Sequence, residues 1–221
     1  MKRLLMFVLL LVIASGVFVW QLPASIMAGF LPPGASRFVQ LHRITGTLWR
    51  GSALFSSIGV SPTLSVAWQC QPSFSPLGAS CALSESLTGV AQLNLLSSTL
   101  TAEKLTAVLP VQVSGGGVAF MAESPRVALD IVSLTVSATT LAIQGSVRAE
   151  SARYGFGQSP VALGEVTADC KPDAGAATSR CSISNRGGNA RLDGQLTLTP
   201  RGATGTLEQT QPGAPAQRVT F

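Results

Sequence analysis

Val127-Ala128-Leu129-Asp130-Ile131-Val132-Ser133-Leu134-Thr135-Val136 is the stretch on which the fold turns. Val127, Leu129 and Ile131 share one phase, and Ala128 and Asp130 take the other. A period of two marks a strand with one buried side, because successive side chains leave a pleated backbone on opposite faces. The phase slips at Val132–Ser133 and resumes at Leu134 and Val136, which predicts a β-bulge.

The same pattern recurs on either side. Thr63 to Trp68 alternates polar and apolar up to Cys70. Ala190, Leu192, Leu196 and Leu198 lie in one phase, with Arg191, Asp193, Gln195 and Thr197 in the other. Ser and Thr fill many outward positions, as a solvated strand face prefers. Gly115-Gly116-Gly117, Gly155–Gly157 and Gly187-Gly188-Asn189 punctuate these runs as turns. The tail from Gln211 to Ala216 reads as a loop, and Gln217 to Phe221 as a last strand. One short helix is expected over Thr101–Leu109: Thr101 as cap, Glu103 in the first turn, Pro110 as the stop. The tally is about ten to thirteen strands and one short helix. The expected class is all-β: an N-terminal transmembrane helix, then a twisted or rolled antiparallel β-sheet domain.

The helix is expected at the start of the chain. From Leu4 to Ser36 run 33 residues without a charge, and the first 19 of them, Leu4 to Leu22, contain no proline. A bilayer core takes about 20 apolar residues in helix. Lys2 and Arg3 before the run keep that end in the cytoplasm, and Trp20 suits the far interface. The competing reading is a cleaved signal peptide with an apolar region Leu4–Ile13 and a small-residue exit at Ala14-Ser15-Gly16. Against it, the apolar stretch continues through Val17, Phe18, Val19 and Trp20. Either way the body lies outside the cytoplasm. The expected organisation is a signal-anchor helix over 1–30, a linker over 31–40 that holds Leu31-Pro32-Pro33-Gly34, and a β-rich periplasmic domain over 41–221. That domain reads as two internally similar halves, about 41–110 and 141–221.

The repeat is clearest at the cysteines. Cys70 and Cys81 are 11 apart, and so are Cys170 and Cys181, the second pair offset from the first by 100 positions. Pro72 matches Pro172, Val66 matches Val166 and Ser84 matches Ser184. The simplest geometry is two hairpins, each with a disulfide between its strands, contributing about 2–4 kcal/mol apiece in an oxidising compartment. A crossed pairing and a four-cysteine metal site are the alternatives, although zinc knuckles bring their ligands in at two to four residues' spacing.

Composition narrows the function. Charged residues make up 11%, against about 25% in ordinary globular proteins. Lys and Arg number 15 against ten acids, a net charge of +5, and they are scattered singly. That distribution excludes a nucleic-acid partner, which would call for clustered basic residues. His42 is the single histidine and sits beside Arg43. No G-x-S-x-G elbow or P-loop occurs and the acids are dispersed, so no catalytic, cofactor-binding or metal-ligating residue is assigned. No enzyme activity and no cofactor are expected.

Ile44-Thr45-Gly46-Thr47-Leu48-Trp49-Arg50-Gly51-Ser52-Ala53 follows the anchor. It resembles the G-T-[LV]-W-x-G-x-A signature of the type II secretion system protein N family. Trp68, the segment ending Leu109-Pro110 and the late stretch Gly187–Thr199 follow that family's order. The resemblance runs from the anchor to about residue 207, most specifically at Gly46, Thr47, Leu48, Trp49 and Gly51. It implies a single-pass protein of the bacterial inner membrane with its C-terminal domain in the periplasm. Such a protein is an accessory part of the type II apparatus and meets other secretion subunits of the inner-membrane platform or secretin. It implies no catalytic residues. A weaker likeness to single-anchor, β-rich envelope proteins implies an apolar lipid groove in a curved sheet. Read from the residues themselves, Gly46 and Gly51 allow tight bends, and Leu48 and Trp49 are expected in a strand, on opposite faces. The motif then either packs the start of the sheet or meets a partner.

Overall fold

The computed structural model of the chain describes residues 21–25, 39–57, 60–75, 77–114, 120–156, 160–175, 177–213 and 215–220. Thirteen strands form one antiparallel sheet in chain order. They are β1 (Val39–Gly46), β2 (Arg50–Ser57), β3 (Val60–Phe74), β4 (Leu77–Glu85), β5 (Leu87–Asn94), β6 (Thr99–Ser114), β7 (Phe120–Val136), β8 (Leu141–Phe156), β9 (Val161–Pro172), β10 (Ser179–Arg186), β11 (Arg191–Thr199), β12 (Gly202–Thr210) and β13 (Gln217–Thr220). The sheet does not close: β1 and β13 are its edges. The strands β6, β7 and β8 at its centre run 16, 17 and 16 residues, roughly 50 Å at the usual rise.

Register aligns the apolar phase of each strand with that of its neighbours. One row of directly paired residues crosses nine strands as Leu87, Ala107, Leu129, Val147, Ala168, Ile183, Gly194, Leu207 and Val219. The adjacent row reads Thr88, Thr106, Asp130, Ser146, Asp169, Ser182, Gln195, Thr206 and Thr220. Side chains alternate across the pleat, so the first row lies on one face and the second on the other. The sheet therefore has one apolar and one polar face. Exposed ion pairs lie on the hydrophilic side, Arg148 with Glu165 at 3.0 Å and Arg126 with Glu150 at 3.9 Å among them.

Burial concentrates in two places on the apolar face. One cluster joins Ala24, Ala53, Trp68 and Cys70, with Ile44, Trp49, Phe55 and Leu83 against it. The other joins Ala152, Leu163 and Ala190, with Tyr154, Val161, Val166 and Leu192 around it. Between them, Ala102, Leu105 and Ala107 of β6 are buried as well, while Val127, Leu129, Ile131, Leu134, Ile143 and Val147 of β7 and β8 are partly exposed on the same face. Among the described residues no helix or second sheet is laid over it.

The sheet curls instead. Tyr154 on β8 lies near the side chain of Gln211, just past β12, and packs in one cluster with Ala190 and Leu192. Three strands separate β8 from β12 in the order, so in a flat sheet the two would stand about 19 Å apart. At the other wing the β4–β5 hairpin stops at Glu85–Leu87, and beyond it β3 pairs directly with β6, Val60 with Val113 and Ser61 with Gln112.

The bulge expected at Val132–Ser133 is present, as a register shift between Ile131 and Ser133 in the β7–β8 pairing. The last strand is β13. Three expectations are corrected. Thr101–Leu109 is no helix but the heart of β6. Leu48 and Trp49 occupy the β1–β2 turn and not a strand. Residues 21–25 form a turn, a bridge of Pro23 to Thr47 and a short 3₁₀ turn, so the anchor helix, expected to reach residue 30, does not include them. The rest of that helix, residues 1–20, and the turn at Gly115–Gly117 lie outside the described residues. Among the described residues no helix is long and apolar enough to cross a membrane.

Candidate functional site

The motif around Gly46–Gly51 builds a clasp. Gly46 takes φ +91°, a conformation that side-chain-bearing residues avoid. The turn then closes as Thr47 N–H donates to the Arg50 carbonyl at 2.8 Å and Arg50 N–H donates to Thr47 Oγ1 at 3.2 Å. With the turn made, its remaining groups reach outward. Leu48 N–H donates to the Leu22 carbonyl at 2.9 Å, and the Leu48 carbonyl accepts from the Trp68 indole N–H at 3.1 Å. The Trp49 carbonyl accepts from Cys70 N–H at 2.6 Å. Gly51 is directly paired with Trp68, and its missing side chain leaves room for the indole ring. The five motif residues thus fasten the segment that follows the N-terminal run to β3. Of the two readings of the motif, this geometry is the packing one.

Both disulfides form as the local pairing predicts. Cys70 lies directly opposite Cys81 in the β3–β4 register and Cys170 opposite Cys181 in β9–β10, with Cα atoms 3.9 and 4.0 Å apart. The crossed pairing and the metal site are thereby excluded. Cys70 and Cys181 are buried on the apolar face, and neither bridge offers a free thiol. Two such bridges point to an oxidising, extracytoplasmic environment.

The groups that could carry chemistry are dispersed. His42 is exposed on β1 and its Nε2 lies 2.7 Å from Ser56 Oγ. Among the described residues no group of three or more His, Cys, Asp or Glu is placed to hold a metal ion. Two shallow depressions open to solvent, one of about 570 Å³ beside Asn185 and Gly187–Arg191, the other of about 660 Å³ with Asp169, Lys171, Asp173 and Arg180 on its rim. In the second, Arg180 is already paired with Asp173 at 3.4 Å.

Polar residues that sequence reasoning missed, Asn185 half-buried and Ser179 and Ser124 buried, hold backbone together. Asn185 Nδ2 donates to the carbonyls of Leu163 and Ala190 at 2.6 and 2.7 Å, while its Oδ1 accepts from Leu192 N–H at 2.7 Å. Ser179 Oγ accepts from Ile143 N–H at 2.6 Å and donates to the Leu141 carbonyl at 3.2 Å, tying β10 to β8. Ser124 Oγ donates to the Glu150 carbonyl at 2.7 Å. The signal available for Asn185 is its position: it continues the inward phase of Ser179, Cys181 and Ile183.

What the described residues offer a partner is therefore surface: an apolar face half-buried along β7 and β8, and two sheet edges. No family model, curated protein or solved structure matches the chain.

Proposed function

We propose that this chain is an accessory component of a type II protein secretion apparatus, tethered to the inner membrane and working through protein contacts in the periplasm. The observation that carries this reading is the open sheet: an all-strand body ending in two edges, with an apolar face over which the described residues lay no second layer. An unpaired edge presents a row of N–H and carbonyl groups that a partner strand satisfies, and a half-buried apolar face is a surface awaiting a partner. The clasp at Gly46–Gly51, whose sequence carries the family resemblance, supports it by coupling the membrane-proximal segment to the sheet. Deletion of the gene is expected to abolish or impair export of a secreted enzyme while leaving outer-membrane lipid composition unchanged. A normal secretion profile in the deletion strain would overturn the reading.

A second reading is favoured by one specific feature: among the described residues no further layer covers the half-buried apolar face of β7 and β8. On this reading the curved face is a trough for acyl chains, and the protein handles envelope lipid. Mild extraction followed by mass spectrometry is expected to find bound phospholipid, lost when Leu129 and Val147 are both replaced by Asp. A lipid-free preparation would remove this reading and leave the first.

A further inference from the structure

Two neighbouring hairpins have apolar turns, unlike the polar β7–β8 and β11–β12 turns at the same end of the sheet, Ser137–Thr140 and Pro200–Arg201. The β3–β4 turn exposes Phe74 (86%) and Leu77 (46%), and the β5–β6 turn exposes Leu95 (60%) and Leu96 (80%). The two turns are joined: Leu95 N–H donates to the Leu77 carbonyl at 3.0 Å. From Gly51 to Ser84 and from Ser86 to Ala102 there is no charged residue, so neither hairpin tip carries a charge, the costliest group to remove from water. The described turns at the opposite end, Glu85–Ser86, Gly187–Asn189 and Gln211–Gly213, are polar or glycine-rich.

The apolar tips lie at the end where the N-terminal run joins the body. Pro23 bridges Thr47 in antiparallel sense, so residues 21–25 run against β1, and the chain enters the sheet from the β1–β2 turn end. The charge-free run Leu4–Leu22 ends at the residue whose carbonyl Leu48 holds. The β3–β4 hairpin projects beyond that turn: Arg50 pairs with Gln69, and β3 continues to Phe74, roughly 15 Å further along the strand. Two strand spacings, about 10 Å, separate the clasp from the first tip, and two more separate that tip from the second.

We propose that the tips of the β3–β4 and β5–β6 hairpins enter the bilayer that receives the N-terminal run, so that Phe74, Leu77, Leu95 and Leu96 form a second lipid contact beside the anchor. Apolar residues dipping below the headgroups give reversible membrane contact, and set next to a spanning helix they would fix the tilt of the sheet over the membrane. The proposal rests on the reading of Leu4–Leu22 as membrane-inserted, and its test separates the two.

The full-length chain, carrying photoreactive benzoylphenylalanine in place of Phe74, Leu96 or, as control, Arg186, is reconstituted into vesicles of phosphatidylethanolamine and phosphatidylglycerol and irradiated. Intact disulfides in each variant report a native body. Lipid adducts at 74 and 96, with background only at 186, are the expected result. Background at 74 and 96 in a chain that resists carbonate extraction overturns the proposal and leaves the anchor standing. Adducts at 74 and 96 in a chain that carbonate releases keep the tip contact and remove the anchor. Equal adducts at all three positions, or adducts at 74 and 96 to a second protein copy instead of lipid, also overturn it.

Discussion

Trp68 lies with its indole over Gly51: a Cβ on that glycine would stand 2.6 Å from Cζ2 of the ring and closer still to the Thr45 carbonyl oxygen. Gly51→Ala is therefore expected to force the ring off the clasp and to destabilise the body by about 1–3 kcal/mol, the usual cost of overpacking. Urea unfolding in mild detergent, followed by tryptophan fluorescence, measures it. Adding Trp68→Leu should make the pair less than additive, since the second change removes one of the two groups that the first collides with and leaves the Thr45 carbonyl. Full additivity would show that the contact is not what matters.

Removing either disulfide by paired Cys→Ser replacement is expected to cost about 3 kcal/mol, the chain-entropy value for a loop of this size. The two losses should add, because the bridges sit on separate hairpins, β3–β4 and β9–β10. In cells, thiol reagents should label none of the four sulfurs until a reductant is supplied. Labelling without reductant would contradict both bridges.

Tyr154 is the chain's one tyrosine, so absorbance at 295 nm reports it alone. Burial raises its pKa above the ordinary 10.0, and the nearby side chain of Gln211 pulls it partly back. A phenol whose folded pKa is raised adds stability below the unfolded value and loses it as pH climbs through the folded one. Stability should thus fall above about pH 10, and Tyr154→Phe should remove that part of the alkaline loss. Gln211→Ala should move the titration midpoint higher still. A midpoint unchanged by that substitution would mean that the sheet does not curl far enough to bring the two together.

Asn185→Asp sets a carboxylate oxygen against the carbonyls of Leu163 and Ala190, which now accept from an amide. A loss of about 3 kcal/mol is expected near neutral pH. It should shrink in acid, where a protonated carboxyl can donate one of the two bonds. Denaturant midpoints at pH 4 and pH 7 give the comparison, and equal losses at both would refute the assigned bonds.

The alternating stretches were readable because tertiary pairing reinforces them: the phase of Val127–Val136 survives as the row structure of the sheet. The cysteines were readable because their equal spacing fits a single register. The segment Thr101–Leu109 misled for a physical reason. Lys104 adopts φ 52° and shifts the phase of β6, so that buried Ala102 and Leu105 stand three apart, as on a helix, before Ala107 restores a spacing of two. Thr101 and Pro110 then supplied plausible ends. Leu48 and Trp49 misled because the positive φ of Gly46 converts an apparently extended motif into a turn. Asn185, Ser179 and Ser124 escaped notice because their value lies in backbone groups far along the chain, which only the folded sheet brings within reach.

Strand order has a consequence for how such a chain is made. Twelve of the thirteen pairings join neighbours in sequence, and the other, β3 with β6, waits only for the two intervening strands. A polypeptide delivered N-terminus first can therefore add each strand to a growing edge as it emerges, with short loops to close and no distant partner to await. Until β13 is laid down, that edge is the most adhesive part of the nascent chain, and whatever shields it during delivery decides between assembly and aggregation.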